Sequence, residues 1–403
     1  MTASPVAEAA SLDDGVHILG RRWAYKYVVA VVYVTALFLD ILDLTIVNVA
    51  IPTLGRDFAT QNAEWIVLGY TLSLAIWIPV SGWLGDRFGT KRTFMFAFAA
   101  FVIGSALCGA AQSIEQLIAF RIVQGVGGGM LTPVGLAMLF RAFPPAERAR
   151  ASTYIMFPTL AAPALGPVLG GLLVTHASWR WIFMINIPIG LVGLAFGLKF
   201  LREHREPTAG RFDVPGFVLS GGALALVVYA LSEGPTAGCD SPSAVATGVI
   251  GAICALALVR VELTVEQPML DLRLLGDRLF RQCNIVSFLS TMGFLGLLFV
   301  MPLYLQLLRG QDALHSGLTT FPQAFGVLIS SQFAGRLYAR IGPRRLMSGG
   351  LFGASIVIMT FITLDQDTSL WSIRLMMFAR GLCMGFAFVP MQAAAYTTIR
   401  PAD

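Results

Sequence analysis

The stretch Gly82-Trp83-Leu84-Gly85-Asp86-Arg87-Phe88-Gly89-Thr90-Lys91-Arg92 is a short charged loop between two long apolar runs. A related stretch, Gly335-Arg336-Leu337-Tyr338-Ala339-Arg340-Ile341-Gly342-Pro343-Arg344-Arg345, follows 253 positions later. Two glycines, an arginine and a basic pair recur in register, at 82 and 335, 87 and 340, 89 and 342, 91 and 344, and 92 and 345. We therefore expect two related halves, each with a tight helix–loop–helix connection, as in integral membrane proteins built from repeats.

The composition indicates an all-α polytopic membrane protein. Hydrophobic residues make up 56% of the 403 residues and charged residues only 13%, whereas a soluble protein carries about 25% charged residues. Apolar runs of about 20 residues predict spanning helices. We place twelve of them near 27–51, 63–84, 93–112, 114–140, 150–176, 181–201, 213–232, 243–262, 280–307, 315–338, 345–364 and 370–396.

Charge and cysteine usage exclude several classes of function. The net charge of +5 is spread over several loops and forms no single basic patch, which argues against nucleic-acid binding. The five cysteines have neither disulfide nor metal-ligand spacing, so we predict no metal site. No nucleophile–base set or nucleotide-binding motif is present, so we expect neither an enzyme nor a cofactor.

The basic residues predict the orientation in the lipid bilayer. With the N-terminus inside, the inner segments hold 22 of the 28 lysines and arginines. The outer segments hold only Arg56, Arg180, Arg309 and Arg374. This asymmetry follows the positive-inside rule. Residues 1–26 lack the layout of a signal peptide, so we expect a cytoplasmic tail and a multi-pass protein of the cytoplasmic (inner) membrane.

The repeat also predicts the domain organisation. We expect a tail at 1–26, an N-terminal six-helix bundle at 27–201, a linker with two inserted helices at 202–279 and a C-terminal bundle at 280–403. The fourth span, which starts near Arg121-Ile122-Val123-Gln124-Gly125, corresponds to the twelfth span with Arg380-Gly381. By this logic the C-terminal bundle has four helices and lacks its last two. A natural twelve-helix protein with unequal halves is the alternative.

Two carboxylates lie inside the first span. Asp40 and Asp43 are three residues apart, so they share a helix face. Carboxylates in a membrane are costly and mark functional sites. Because two close carboxylates in a low dielectric do not both ionise readily, we expect one to bind and release a proton near neutral pH. Alternatively, one aspartate pairs with a basic side chain or lies near the outer headgroups.

Other polar groups within the spans are further candidates. Arg121 opens the fourth span, where a fixed cation would modulate the proton affinity of a carboxylate; alternatively, it extends to the headgroups. The glycines after Gln124 allow another helix backbone to approach closely. Asn48 and Gln124 are candidates for lining a central cavity.

The fifth span and the first loop carry conformational features. Proline removes a helix hydrogen bond and glycine permits close packing, so we expect a functional bend line, or alternatively a structural kink, at Pro163, Gly166, Pro167, Gly170 and Gly171. In the loop, a carboxylate at the end of the second span can contact a helix N-terminus or an arginine. We expect such contacts to latch one conformation, through a gating loop of Gly82, Asp86, Arg87, Gly89, Lys91 and Arg92.

Together these stretches resemble the major facilitator superfamily, and more narrowly its fourteen-helix drug:proton antiporter branch. Leu42–Pro52 is similar to the first-helix signature of that branch, and Gly82–Arg92 to the loop motif of the superfamily. Arg121–Gly129 resembles the fourth-helix motif, and Trp179–Pro188 also resembles this branch. Gly166-Pro167 with Gly170-Gly171 resembles the antiporter motif, although Ala162 stands where that motif usually begins with glycine.

The resemblance implies two helical bundles that rock around a central cavity, and proton influx that drives export of small amphipathic or cationic compounds. It places Asp43 and Arg121 in proton coupling and Asp86 and Arg87 in gating. The inserted pair at 213–262 fits the fourteen-helix plan. The implied partners are a small-molecule substrate and protons, with a periplasmic adaptor protein if the source is a Gram-negative bacterium. A nutrient importer on the same fold and a non-transporting membrane protein remain alternatives.

Overall fold

The computed structural model describes residues 16–18, 21–60, 62–144, 147–206, 210–238 and 240–395. Most of the predicted N-terminal tail lies outside these ranges. The last eight positions of the predicted C-terminal bundle, 396–403, also lie outside them.

The described chain is almost entirely helical. Helices α1 to α7 span Tyr25–Asp57, Trp65–Phe88, Thr90–Ala110, Ile114–Ala142, Arg148–His176, Trp181–Met184 and Asn186–Phe200. Helices α8 to α14 span Val214–Ala237, Pro242–Thr264, Arg278–Leu303, Ala313–Thr320, Pro322–Ile341, Pro343–Thr360 and Leu370–Ala395. A π-helix, Tyr304–Leu308, extends α10, and short 3-10 turns lie at Leu272–Gly276 and Phe361–Thr363.

Polar side chains at the N-caps define where several of these helices begin. Ser113 accepts a hydrogen bond from the backbone of Gln116 at the start of α4. The side chains of Asp213, Ser241, Asp277 and Asp312 serve α8, α9, α10 and α11 in the same way. Each cap satisfies one of the backbone N–H groups that a helix start leaves without a partner. The sequence therefore encodes where these helices begin.

Ten of the described helices are long and apolar enough to cross a membrane. They account for ten of the twelve predicted spans. The predicted span at 150–176 lies within α5, of which Ala161–His176 is a shorter apolar helix. The predicted span at 315–338 forms two helices, α11 and α12, because Pro322 occupies the first turn of α12. Proline is well suited to a helix start because it has no N–H to leave without a partner.

A short hairpin precedes the first helix. Strand β1, Val16–Ile18, pairs antiparallel with strand β2, Arg21–Trp23. The sequence analysis treated this region only as part of a tail. Three-residue strands give too weak an alternation to be detected from the sequence.

The chain divides into two compact units by internal contacts. Unit 1 comprises Met1–Ala36, Leu68–Tyr154 and Ile187–Arg273, and unit 2 comprises Leu37–Val67, Ile155–Asn186 and Leu274–Asp403. The sequence-based domain boundaries remain a prediction.

Close contact between helix backbones characterises unit 1. A Cβ added to Gly127 of α4 would lie 2.5 Å from the backbone nitrogen of Phe101 on α3. A Cβ on Gly129 would lie 2.5 Å from the carbonyl oxygen of Leu74 on α2. The glycines of α4 therefore let α2 and α3 approach it more closely than any side chain would allow.

Helices α8 and α9, predicted as an inserted pair, are the most exposed spanning helices of unit 1. Only 11% of the most apolar segment of α9 is buried, against 67% for α1. This difference is expected for helices whose outer faces contact lipid, because lipid is as apolar as the buried core.

In unit 2, α12 and α14 pack against each other through glycines. A Cβ on Gly381 would clash with the carbonyl oxygen of Gln323, and one on Gly326 with that of Phe378. A separate apolar cluster, near the π-helix, consists of Met301, Leu305, Ile373 and Met377.

Candidate functional site

Asp43 is completely buried in the first helix. The side-chain amide of Asn186, at the start of α7, donates a hydrogen bond from Nδ2 to Oδ1 of Asp43 at 3.3 Å. Asn186 is also completely buried. A charged or protonated carboxyl can accept this bond, so the contact orients Asp43 without fixing its protonation state.

Other polar residues of the first helix are also buried. Asp40 is 4% exposed and lies three residues before Asp43 on the same helix. Asn48 is 7% exposed, and its Nδ2 donates to the carbonyl of Leu44 at 3.3 Å. Among the described residues, Oδ1 of Asn48 has no hydrogen-bond partner. This buried acceptor can receive a hydrogen bond from a ligand or a water molecule.

The glycines predicted as the antiporter kink bring α5 against the first helix. A Cβ on Gly166 would clash with Oγ1 of Thr45, and one on Gly170 would lie 2.8 Å from the carbonyl oxygen of Ile46. Pro163 and Pro167 lie within α5, which the structure forms as one continuous helix. The first helix and α5 therefore meet backbone to backbone, immediately beyond the position of Asp43.

The same stretch of α5 also contacts α11. A Cβ on Gly171 would lie 2.5 Å from the carbonyl oxygen of Ala313 and 2.6 Å from Cα of Leu314. In return, a Cβ on Gly317 would clash with the carbonyl oxygen of Pro167. The Gly-Pro segment is thus held between the first helix on one side and α11 on the other.

In unit 1, Arg121 is 1% exposed. Its Nη1 donates to Oε1 of Gln124 at 2.8 Å, and its guanidinium carbon lies 4.0 Å from the centre of the Tyr70 ring. The ring face stabilises a cation that has been removed from water. Arg121 is therefore an interior arginine, and the alternative that it extends to the headgroups is not what the structure shows.

Gln124 is fixed from two sides. The thiol of Cys108 lies 3.6 Å from its Oε1, and a Cβ on Gly104 would lie 2.6 Å from its Cα. A Cβ on Gly125 would lie 2.6 Å from the carbonyl oxygen of Tyr70. The helices that carry the arginine, its amide partner and its aromatic partner are therefore in backbone contact.

The stretch at 82–92, predicted as a loop, is helical except at Gly89, because α2 runs to Phe88 and α3 begins at Thr90 with a one-residue glycine turn between them. This motif forms an ion pair with the end of α4. Oδ1 of Asp86 lies 3.3 Å from Nη2 of Arg141, and both side chains are partly exposed. Gly82, Arg87 and Arg92 are exposed, and Gly89 has a φ of 103°, a conformation that glycine adopts readily. An exposed ion pair of this kind contributes at most about 1 kcal/mol to stability, so it can break and re-form at low cost.

The segment that follows α7 covers this loop, and the sequence analysis assigned it no such contact. Glu203 accepts hydrogen bonds from the backbone N–H of Lys91 at 2.9 Å and of Arg92 at 3.2 Å. The N–H of Thr90 donates to the carbonyl of His204 at 2.8 Å. Glu203 thereby supplies the N-terminal cap that α3 lacks, since Gly89 has no side chain with which to cap it.

The second copy of the loop differs. Gly342 precedes α13 without a side-chain cap. Its φ of 79° is positive, as is the φ of Gly89. Arg340, Arg344 and Arg345 are exposed and form no ion pair within the part of the chain that the structure describes. The two copies therefore share backbone geometry but not their acidic partners.

Arg380 repeats part of the Arg121 environment in unit 2. It is completely buried, contacts Oε1 of Gln323 and donates to the carbonyl of Gly293 at 2.8 Å. Its guanidinium lies 5.2 Å from the centre of the Phe294 ring. Both halves thus bury an arginine beside a glutamine and an aromatic ring.

Sequence reasoning missed three contacts of the candidate site residues. Asn186 entered the sequence analysis only as part of the stretch Trp179–Pro188, although a polar residue at the start of an apolar run was a usable signal. Tyr70 gave no signal because aromatic residues are common in spans. Glu203 lies in a charged linker, where nothing in the sequence distinguishes it from the other acidic residues.

Comparisons with known proteins identify the family to which this helical membrane protein belongs. A family model described as Major Facilitator Superfamily matches residues 33–402. A multidrug resistance protein B homolog of Mycobacterium tuberculosis is 35% identical over 368 residues, covering 89% of this chain and 68% of that protein. A putative multidrug resistance protein MdtD of Serratia proteamaculans is 32% identical, covering 88% of this chain and 74% of that protein.

Among solved structures, the xylose transporter XylE from E. coli in a partially occluded inward-open conformation is similar with a TM-score of 0.61. The match covers 94% of this chain and 85% of that one, at 15% sequence identity. At this identity the likeness concerns the fold alone.

Proposed function

Because the chain belongs to the major facilitator superfamily of membrane transporters, we propose that it is a proton-coupled antiporter that exports small amphipathic or cationic compounds. The match of the family model over residues 33–402 and the names of the multidrug resistance relatives support this choice. The proposal includes alternating access, a location in the cytoplasmic membrane and a cytoplasmic N-terminus. An enzymatic function is not part of it.

The observation that carries the proposal is the burial of Asp43 within an apolar helix beside Asn186. An intramembrane carboxylate is costly and persists where it serves transport. In the proposed cycle, Asp43 binds a proton from the outside and releases it to the cytoplasm. Asp40, on the same helix face, makes simultaneous ionisation of both carboxyls unfavourable.

Arg121 supplies the second element of proposed coupling. Its charge is fixed because the guanidinium stays protonated, and Gln124 and Tyr70 hold it in place. In this proposal a buried, fixed cation adjusts how readily the transport carboxylates release their protons. A cationic substrate would compete with the proton for the same negative charge, which links export to proton entry.

For the gate, we propose the loop of residues 82–92 and the glycine contacts of α5. The Asp86–Arg141 ion pair is weak and partly exposed, as a contact that breaks in each cycle should be. The contacts of Gly170 and Gly171 bring three helices together backbone to backbone, and Gly166 packs on the side chain of Thr45. We propose that these helices separate when the transporter changes its accessible side.

A proton-coupled importer on the same fold is the runner-up. Fold does not determine the direction of transport, and XylE, with which this chain shares only the fold, illustrates the range of the architecture. An importer would move its solute and protons together, whereas an exporter exchanges them. The experiment below distinguishes these directions.

The test uses inside-out membrane vesicles that contain the protein. The vesicles are energised so that the lumen becomes acidic, and a fluorescent dye measures the luminal pH. We expect an externally added lipophilic phosphonium cation to release luminal protons. Asp43→Asn should abolish this release, because asparagine cannot carry a proton between the two sides. Asp57→Asn is the matched control, since Asp57 is exposed at the end of the same helix.

Three results would contradict the proposal in different ways. Full proton release by Asp43→Asn in well-inserted protein would remove Asp43 from coupling. Proton movement only when the compound is loaded inside the vesicles would indicate an importer. No proton movement with a panel of lipophilic cations, together with measurable binding, would indicate a protein that binds but does not exchange protons.

A further inference from the structure

Two carboxylates meet at the base of the inserted helices α8 and α9, far along the chain from Asp43. Asp213 is the N-cap of α8, and its Oδ1 accepts the backbone N–H of Gly216 at 2.9 Å. Glu262 lies in the last turn of α9, and its Oε2 accepts the N–H of Leu270 at 3.0 Å. Asp213 Oδ2 also accepts the N–H of Met269 at 3.4 Å. The start of α8 and the chain after α9 are therefore joined through these two carboxyl groups.

Gly216 shows how near the two carboxyls are. A Cβ at this glycine would clash with Oδ2 of Asp213 and would also lie 2.7 Å from Oε1 of Glu262. Both oxygens thus border the same small space above the glycine. Any residue other than glycine at position 216 would push the two carboxyls apart.

Oε1 of Glu262 is the oxygen that needs explanation. Glu262 is completely buried and Asp213 is 7% exposed. Oε1 has no hydrogen-bond donor among the described residues, although its partner oxygen Oε2 has one. A buried carboxylate oxygen without a donor is costly, and here it also faces the negative charge of Asp213.

No cation in the described chain compensates the pair. Arg273 is the nearest basic group of the following segment, but its Nη2 donates to the carbonyls of Leu263 and Val265. Asp271, another acid, adds to the negative field at Glu262. Two adjacent buried carboxylates with no cation do not both stay ionised.

We propose that Asp213 and Glu262 form a proton-binding site, in which Oε1 of Glu262 carries a proton and donates it to a carboxylate oxygen of Asp213. One proton removes the charge repulsion and gives the buried oxygen the partner that it lacks. The ligand is a proton taken from the side predicted to be cytoplasmic, because Arg211, Arg260 and Arg273 flank this end of the helices. The site is separate from the transport carboxylates.

The site controls the segment that leads from α9 to α10. Its two carboxyls hold the N–H groups of Met269 and Leu270, and Gln267 also binds the N–H of Arg211 at 2.9 Å. When the proton is lost, two negative charges repel each other across Gly216. The backbone at 269–270 then loses its anchor, so alkaline pH on this side loosens the segment.

Hydrogen exchange of the full protein in lipid nanodiscs tests this proposal. We expect the protection factors of the Met269 and Leu270 amides, corrected for the intrinsic exchange rate, to fall by about tenfold as pH is raised from neutral to alkaline. Glu262→Gln keeps a hydrogen-bond donor without a charge, so its protection should not depend on pH. Glu266→Gln, at an exposed position four residues later, should behave as the wild type.

Infrared spectroscopy of the same samples provides a second readout. The difference spectrum of the wild type minus Glu262→Gln at neutral pH should show a carboxylic-acid C=O band, whereas the difference spectrum of the wild type minus Glu266→Gln should show none; protonated carboxyls elsewhere cancel in both. If Glu262 is instead ionised beside a buried water molecule, this band is absent and the proposal fails. A wild-type protection profile that does not change with pH would also overturn it, whether or not the variants fold. Asp213→Asn, which keeps a good N-cap, should abolish the pH dependence as well.

Discussion

Asn186 donates a hydrogen bond to Asp43 across 143 positions of the chain, and both side chains are completely buried. The bond reaches from the first turn of α7 to the middle of the first helix. It orients the carboxyl of Asp43 in a way that an isolated helix would not. A residue outside the first-helix signature therefore helps to orient Asp43.

The first prediction concerns this pair. Asn186→Ala removes the donor from a buried acceptor, which should lower the free energy of unfolding by about 1–3 kcal/mol. Combining it with Asp43→Ala, which removes the acceptor, in a double-mutant cycle should give a coupling energy of about 1.5–3 kcal/mol if Asp43 is charged, and about 1 kcal/mol if it is neutral. The measurement is denaturant unfolding of the purified single and double variants. A coupling energy of zero would mean that the contact has no energetic role.

The second prediction compares two glycines of unit 1. Gly125→Ala should destabilise the protein by about 1–3 kcal/mol, because the new methyl group forces α2 away from α4. Gly82→Ala should be neutral or stabilise by about 0.5–1 kcal/mol, because no atom lies within 4 Å of its Cβ and alanine suits a helix better. Thermal unfolding of both variants in the same detergent checks this order. Equal effects would contradict the close contact of the two helices.

The third prediction concerns the acidic cap that Glu203 provides to α3. Glu203→Ala should raise the hydrogen-exchange rates of the Lys91 and Arg92 amides and lower stability by about 0.5–2 kcal/mol, because two backbone N–H groups lose their acceptor. Glu206→Ala is the matched control, since among the described residues the one ion-pair partner of its side chain is His204 at 3.8 Å. Unchanged exchange at both amides in Glu203→Ala would show that the segment after α7 does not hold the loop.

The fourth prediction concerns acid. The backbone N–H of His315, 2.6 Å from Oδ1 of Asp312, holds the pKa of that carboxyl below its ordinary value of 3.8. A carboxyl with a lowered pKa stabilises the folded state above its unfolded pKa, and this contribution is lost as pH falls through the folded pKa. Asp312→Ala should therefore be less stable than the wild type at neutral pH, and the difference should shrink below pH 3.8. Melting temperatures across this pH range check the prediction, and a constant difference would contradict it.

Much of the fold could be predicted because the membrane imposes a simple rule on the sequence. Ten of the described helices coincide with apolar runs, since every backbone polar group in lipid needs a partner within the helix. The predicted span at 315–338 was one exception. Its division into α11 and α12 depends on Pro322, whose effect on a helix cannot be judged from hydropathy alone.

The site could be predicted only one side chain at a time. Asp43 and Arg121 stand out because a charge within an apolar run is rare. Their neighbours Asn186 and Tyr70 do not, because a sequence gives no measure of distance between positions far apart in the chain. The same limitation applies to Asp213 and Glu262, whose importance arises only from their meeting above Gly216.

The backbone contacts of α5 restrict how this protein can evolve. At position 166 the obstacle to a larger residue is the side chain of Thr45, including its Cβ at 2.9 Å, so a substitution there can be accepted only if position 45 changes to glycine first. At position 171 the obstacle is the main chain of Ala313 and Leu314, which no exchange of side chains removes. The first glycine can therefore be replaced through a pair of ordered steps. The second can be lost only by a lineage in which the path of α11 itself has shifted.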